Sequence, residues 1–163
     1  MNQQTRYSWT SEEQHMTNGE RYANTLMMHR GALIDLLEMV PADKGDFAAW
    51  DGGRSFIDLC DHLSSSGNNM VAMMGGPAAE KHESSPDLSA AKERLSADTQ
   101  HVRNALATLT DEHLSSIVEA FGGRKMPASA LADFMIAHEA HHKGQVWVMA
   151  RMIGVQPPMF VKA

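Results

Sequence analysis

The sequence predicts an all-α four-helix bundle, and three observations carry that prediction. Apolar residues recur at helical spacing in four separate stretches of the 163-residue chain. Strand signals are nearly absent: no β-branched run alternates, and the one Asn-Gly, in "MTNGE", precedes a helical pattern. Three of the four periodic stretches stop at a proline or glycine.

The first helix is expected from about Glu20 to Val40, with Tyr22, Leu26, Leu33, Leu37 and Val40 on one stripe and Pro41 ending it. The second follows "DGGR", with Ser55 as N-cap and Phe56, Leu59, Leu63, Met70 and Met74 on its apolar side, and "GGP" closes it. The third starts after "SSPD" and aligns Leu88, Leu95, Val102, Leu106 and Leu109. A short "LTDEHLSSIV" stretch and the loop "FGGRKMP" lead to the fourth, about Ala128 to Ile153, which stops at Gly154 before Pro157 and Pro158. Amphipathic helices of this length pack as a bundle. The link "GPAAEKHESSP" between the second and third could extend roughly 35 Å, against about 30 Å for the second helix. It could run the length of the bundle and leave those helices parallel, or form a loose turn.

The bulk composition bounds the function. The length suits one domain, taken as residues 20–163, after a polar N-terminal extension over residues 1–19. A net charge of −6 leaves no basic face for phosphates and argues against a nucleic-acid partner. Cys60, the single cysteine, excludes an internal disulfide and suits a reducing compartment. The N-terminus lacks the apolar core of a secretory signal, and no run approaches the roughly 18–20 residues of a membrane span. The expectation is a cytoplasmic protein with no membrane partner. Of two oddities, nine histidines and thirteen methionines, the methionines read as adaptable packing.

The histidines are more informative. "HEAHH", starting at His138, fits the H-E-x-x-H pattern of zinc proteases. On a helix His138 and His142 lie about 40° apart, with Leu131, Met135, Met149, Phe134 and Met152 around them, so both are expected in the middle of the apolar stripe. Glu139 then falls about 100° away, on the flank. Two inward imidazoles one turn apart lack partners in an apolar core, and a shared metal ion would satisfy both. The protease reading fails downstream, because "KGQVWVMARMIGVQPPMFVKA" after His142 holds no His, Asp, Glu or Cys. A ferritin-like site would need Glu-x-x-His pairs; Glu139–His142 and Glu12–His15 have the spacing, but the second pair sits in the polar leader. The third ligand must come from upstream, and helix geometry leaves His62 and His29 nearly tied. His101 is off its stripe, and His15, His82 and His113 fall in termini or loops. Gln145 shares the histidine stripe and could orient a ligand. Gly144 suggests close approach of another helix; Asp58 could orient an imidazole or simply be solvated; Cys60, about 160° from His62, reads as packing.

"LCDHL", "HEAHHKGQ" and the closing "RMIGVQPP" together resemble the DinB-like (DNA-damage-inducible, YfiT-like) four-helix metal proteins, over about residues 20 to 158. The resemblance implies a bundle of up-down-down-up topology with parallel second and third helices. It also implies one divalent metal ion, zinc or nickel, on His62, His138 and His142, which breaks the tie against His29. Three imidazoles leave a fourth position open, the pattern of a catalytic site. Some members are thiol S-transferases, so the resemblance implies a metal-dependent transferase or small-substrate hydrolase, a small-molecule and possibly thiol substrate, and a homodimer. A non-catalytic metal or small-ligand binding module is the alternative, and a purely structural metal a third. Catalytic side chains, substrate and metal identity are not assigned by any residue.

Overall fold

Capping chemistry sets where each helix begins. In the computed structural model, which describes residues 16–162, α1 spans Asn18–Met39, α2 Phe56–Met73, α3 Leu88–Ala107, α4 Asp111–Ser115 and α5 Ala128–Met152. Most of the expected leader, with Glu12 and His15, lies outside the described residues. Thr17 with Glu20, and Ser55 with Asp58, form reciprocal capping boxes at α1 and α2, satisfying backbone donors that a helix start leaves open. Asp58 is exposed, and its carboxylate accepts from the Ser55 backbone and hydroxyl at 3.1 and 2.9 Å. Those bonds lower its pKa; it is a cap and orients no imidazole. Asp87 and Thr110 cap α3 and α4.

Side-chain meetings give the helix directions. Glu38 pairs with Lys92 while Gly19, at the other end of α1, lies against Leu106 and Leu109, so α1 and α3 are antiparallel. Tyr22 bonds Asp133 and Arg30 bonds Glu139, so α1 and α5 are parallel. Asp61 pairs with Arg94 and Gly67 faces Val102, where a Cβ would stand 3.3 Å from Val102 Cγ2; α2 and α3 are therefore parallel. The order is up-down-down-up. The link between α2 and α3 returns to the start of α2, where the Ser85 backbone and hydroxyl both donate to Asp61 at 2.7 Å.

Among the described residues the chain departs from the all-helical expectation in one hairpin and one isolated bridge, Ala48 to Ser55. β1 (Ile117–Ala120) and β2 (Arg124–Pro127) form an antiparallel hairpin, Ile117 opposite Pro127 and Ala120 opposite Arg124. Strands of four residues are too short to display alternation. The turn is what makes them: Phe121, Gly122 and Gly123 all have positive φ, 49°, 77° and 99°, and the two glycines take that conformation without strain.

Two apolar clusters make the core. One gathers Leu33, Leu37, Leu59, Leu63, Leu95 and Val146; the other gathers Leu26, Met70, Val102, Leu106, Leu131 and Met135. Between them every bundle helix contributes buried polar side chains: Arg30 from α1, Ser64 and Asn68 from α2, Asp98 and Thr99 from α3, Glu139 and Lys143 from α5. Cys60 packs in the first cluster, its thiol pKa pushed up to about 12 chiefly by burial, which makes it unreactive. Methionine packing accounts for Met70, Met74, Met135 and Met149, whereas Met28, Met39, Met152 and Met159 are exposed. No described helix is long and apolar enough to cross a membrane.

Candidate metal centre

The polar layer decides how α5 is rotated. Ala128, Leu131, Ala132, Met135, Glu139, Lys143, Val146, Trp147, Met149 and Ala150 form its buried arc, centred about 80–100° from His138, close to Glu139 itself. His138 and His142 therefore lie at the edge of the arc and are only partly buried, whereas the sequence placed them at its middle. Phe134 and Met152, on the far flank, are 45% and 55% exposed. The cause is a charge pair. Arg30 Nε and a terminal guanidinium nitrogen each donate to Glu139 at 2.7 Å, and the other donates to Thr99 at 2.9 Å. Burial opposes the charge on Arg30, but Glu139, with smaller contributions from Cys60 and Asp98, raises the guanidinium pKa on balance.

At that edge α2 and α5 bring three imidazoles together. His62 Nε2 lies 3.0 Å from Nε2 of His138 and 3.0 Å from Nε2 of His142. Ring centroids stand 4.4 to 4.9 Å apart, and one nitrogen from each ring falls within 4.8 Å of the others. A single ring nitrogen carries either one proton or one lone pair, so His62 Nε2 makes one good hydrogen bond with one neighbour and not two. A shared cation suits both contacts, and the group could hold a metal ion. Gln145 Oε1 accepts from His142 Nδ1 at 2.7 Å, which puts the proton on Nδ1 and aims the Nε2 lone pair at the cluster.

Electrostatics keeps these rings neutral. Burial, then the positive charge of Arg54, then the neighbouring imidazoles take His62 down to about 4. Burial also lowers His138 and His142; for His142 the Gln145 bond works against the shift. A lowered pKa means the folded state favours the neutral ring. Its stability contribution is complete above the ordinary imidazole value of about 6.5 and is lost as pH falls through the interval down to about 4. In chelator, the urea midpoint is therefore expected to drop between pH 7.5 and pH 5, and to drop less in His62→Gln. Equal pH dependence of the two proteins would contradict this account.

The other described histidines add no nitrogen to the group, although the His141 ring stands 4.8 Å from that of His142. His29 is on α1, its Nδ1 2.9 Å from Lys143 Nζ; burial and that lysine lower its pKa. His101 Nε2 lies 3.2 Å from the Pro77 carbonyl oxygen, and His82, His113 and His141 are exposed. Lys143 is buried, with its ammonium on the Phe160 carbonyl and over the Trp147 ring. Gly144 is exposed with nothing near its missing Cβ, so helix approach does not explain it. The sequence reading passed over Arg30 and Thr99, although Arg30 stands one turn from both Leu26 and Leu33 and so on the apolar stripe. An arginine on one stripe and a glutamate one turn from Met135 was the available signal. Because Glu139 is spent on Arg30, it cannot play the water-activating part of the H-E-x-x-H motif.

Comparisons agree with this fold. The uncharacterized protein YjoA of Bacillus subtilis is 26% identical over 147 residues, covering 85% of this chain and 93% of YjoA. Its crystal structure, described as a DinB-like protein, superposes with a TM-score of 0.74 at 23% identity, covering 87% of this chain and 98% of that one. A DinB-like protein from Bacillus cereus gives 0.75 at 20% identity, with 88% and 97% covered. YfiT from Bacillus subtilis, described as a probable metal-dependent hydrolase with an unusual four-helix bundle topology, gives 0.65 at 18% identity, with 94% of each chain covered. At these identities the superpositions speak for the fold. The DinB family model matches residues 4–162, taking in both helices that carry the three histidines, and the chain belongs to the DinB family.

Proposed function

We propose that the chain is a metal-dependent enzyme acting on a small molecule, with one zinc or nickel ion held by Nε2 of His62, His138 and His142. The convergence of three ring nitrogens that protons cannot jointly satisfy carries this reading. The donor set fits: neutral imidazoles suit zinc and nickel. Nitrogens about 2.0–2.1 Å from a tetrahedral ion stand about 3.3 Å apart, near the separations found. Such an ion is a Lewis acid that makes a nucleophile available from water or a thiol near neutral pH.

The chain's own residues do the rest. Gln145 holds the ring and tautomer of His142. Trp50, Arg54, Leu59 and Met149 line, with His142 and Gln145, a cavity of about 230 Å³ for the substrate. The Arg30–Glu139 pair locks the rotation of α5. Among the described residues no carboxylate joins the three histidines, so no carboxylate base stands in the group itself. A thiol, which ionises near pH 8.5, needs such a base less than water does. Thiol transfer is therefore the first reading. Hydrolysis is the second, supported by the description of YfiT.

Elemental analysis of untagged protein tests the site. About one equivalent of metal is expected in wild type and in His29→Ala, and none in His62→Ala, His138→Ala or His142→Ala. Retention in His62→Ala with loss in His29→Ala would move the third ligand to α1 and sink the assignment. Conjugation of a low-molecular-weight thiol to 1-chloro-2,4-dinitrobenzene by the metal-loaded protein, abolished in His142→Ala, tests the chemistry.

A further inference from the structure

We propose that the α2/α3 side of the polar layer is a subsite for the primary ammonium group of a small ligand, bound by Asp98, Asn68 and Ser64. Insofar as that ligand is the substrate of the histidine site, this rests on the function proposed above. A cavity of about 530 Å³ opens between α2, α3 and the link joining them, and His62, Ser64, Asn68 and Asp98 all line it. That is room for a small molecule.

Three side chains that line this cavity hold polar atoms without partners, each of those atoms itself shielded from solvent. Among the described residues Asp98 Oδ2, Asn68 Oδ1 and Ser64 Oγ have no hydrogen-bond partner, in side chains only 8%, 7% and 2% exposed. Buried polar atoms, and a buried carboxylate above all, are costly to leave alone. The neighbouring cations make their hydrogen bonds elsewhere: Arg94 with Asp61, and Arg30, whose charge Asp98 also feels, with Glu139 and Thr99. The parallel register of α2 and α3 puts Asp98 level with the Ser64 turn, since Asp61 meets Arg94 and Gly67 meets Val102.

The chemistry of the trio selects the ligand. A carboxylate oxygen, an amide oxygen and a hydroxyl offer three acceptors and one negative charge. A primary ammonium offers three donors and one positive charge. A guanidinium calls for paired acceptors in a fork, whereas the three unpartnered buried atoms come from three separate side chains. The lining as a whole carries five carboxylates against three Lys and Arg cations, which favours a cation. Ser64 and Asn68 lie about 3 and 9 Å beyond His62 along the α2 axis, so a short chain could join an amine here to a group at the histidines.

Two arms test this in the full chain at pH 7.5. In chelator, n-butylamine is titrated against 1-butanol and followed by amide chemical shifts. Saturable shifts around Ser64, Asn68 and Asp98 are expected with the amine, at least about tenfold weaker with the alcohol, and lost in the isosteric Asp98→Asn. Asn68→Ala, expected to weaken amine binding several-fold, serves if Asp98→Asn does not fold. In the cobalt-loaded chain, 2-aminoethanethiol is titrated against 2-mercaptoethanol and followed by the thiolate–cobalt absorption band. A preference for the aminothiol that disappears in Asp98→Asn is expected. Equal binding of amine and alcohol, absence of saturable shifts, or an amine preference that survives Asp98→Asn overturns the proposal. An amine response in a chain that takes up no cobalt would overturn the metal assignment and leave this subsite standing.

Discussion

Arg30→Met is expected to cost the folded state about 3–5 kcal/mol, because it strands Glu139 as an uncompensated charge in the bundle interior. Glu139 is only 2% exposed, and both of its oxygens are held by Arg30 at 2.7 Å. The substitution also removes the donor to Thr99. For a chain of this size the melting temperature should fall on the order of 10 °C, read by circular dichroism beside wild type. The double variant Arg30→Met/Glu139→Leu should recover most of that loss, since a buried ion pair is worth little more than apolar groups of the same shape. A loss below about 1 kcal/mol in Arg30→Met would mean that the pair behaves as a surface salt bridge. The double variant should also retain its metal if the pair serves only to orient α5, because His62, His138 and His142 remain.

Zinc at about a thousand times its dissociation constant is expected to stabilise the chain by about 4 kcal/mol. The unfolded chain cannot focus three imidazoles that sit 76 and 80 positions apart along the sequence. Binding is therefore coupled to the folded state. The rise in melting temperature over a chelator control should vanish in His62→Ala, His138→Ala and His142→Ala, and persist in His29→Ala. An undiminished rise in all three variants would place the ion elsewhere.

The bundle itself was legible in the chain. Leu26, Leu33 and Leu37, then Leu59 and Leu63, then Leu95, Val102 and Leu106 recur at helical spacing and all are buried. The stops at Pro41, "GGP" and Gly154 act where they stand, and Gly154 takes a φ of 84° just past α5. The hairpin at Ile117–Pro127 was not legible, because its strands are shorter than the window in which alternation shows, and a turn of three positive-φ residues makes the pairing. Within the site, the one-turn spacing of His138 and His142 was readable on a helical wheel. That His62 and not His29 faces them was left open by the wheel and depended on a resemblance to a family.

Local periodicity and capping determine which segments of this chain are helices, and they are properties of neighbouring residues. The rotation of each helix about its axis is not such a property. A wheel scored by hydrophobicity turned α5 so that the two histidines faced the middle of the core and Glu139 the flank. The folded chain turns it the other way, because a guanidinium from α1, over a hundred residues distant in sequence, makes the glutamate burial-compatible. Only tertiary structure could decide this: the desolvation of a charge is compensated by a partner in space, and its position along the chain says nothing about where that partner will be.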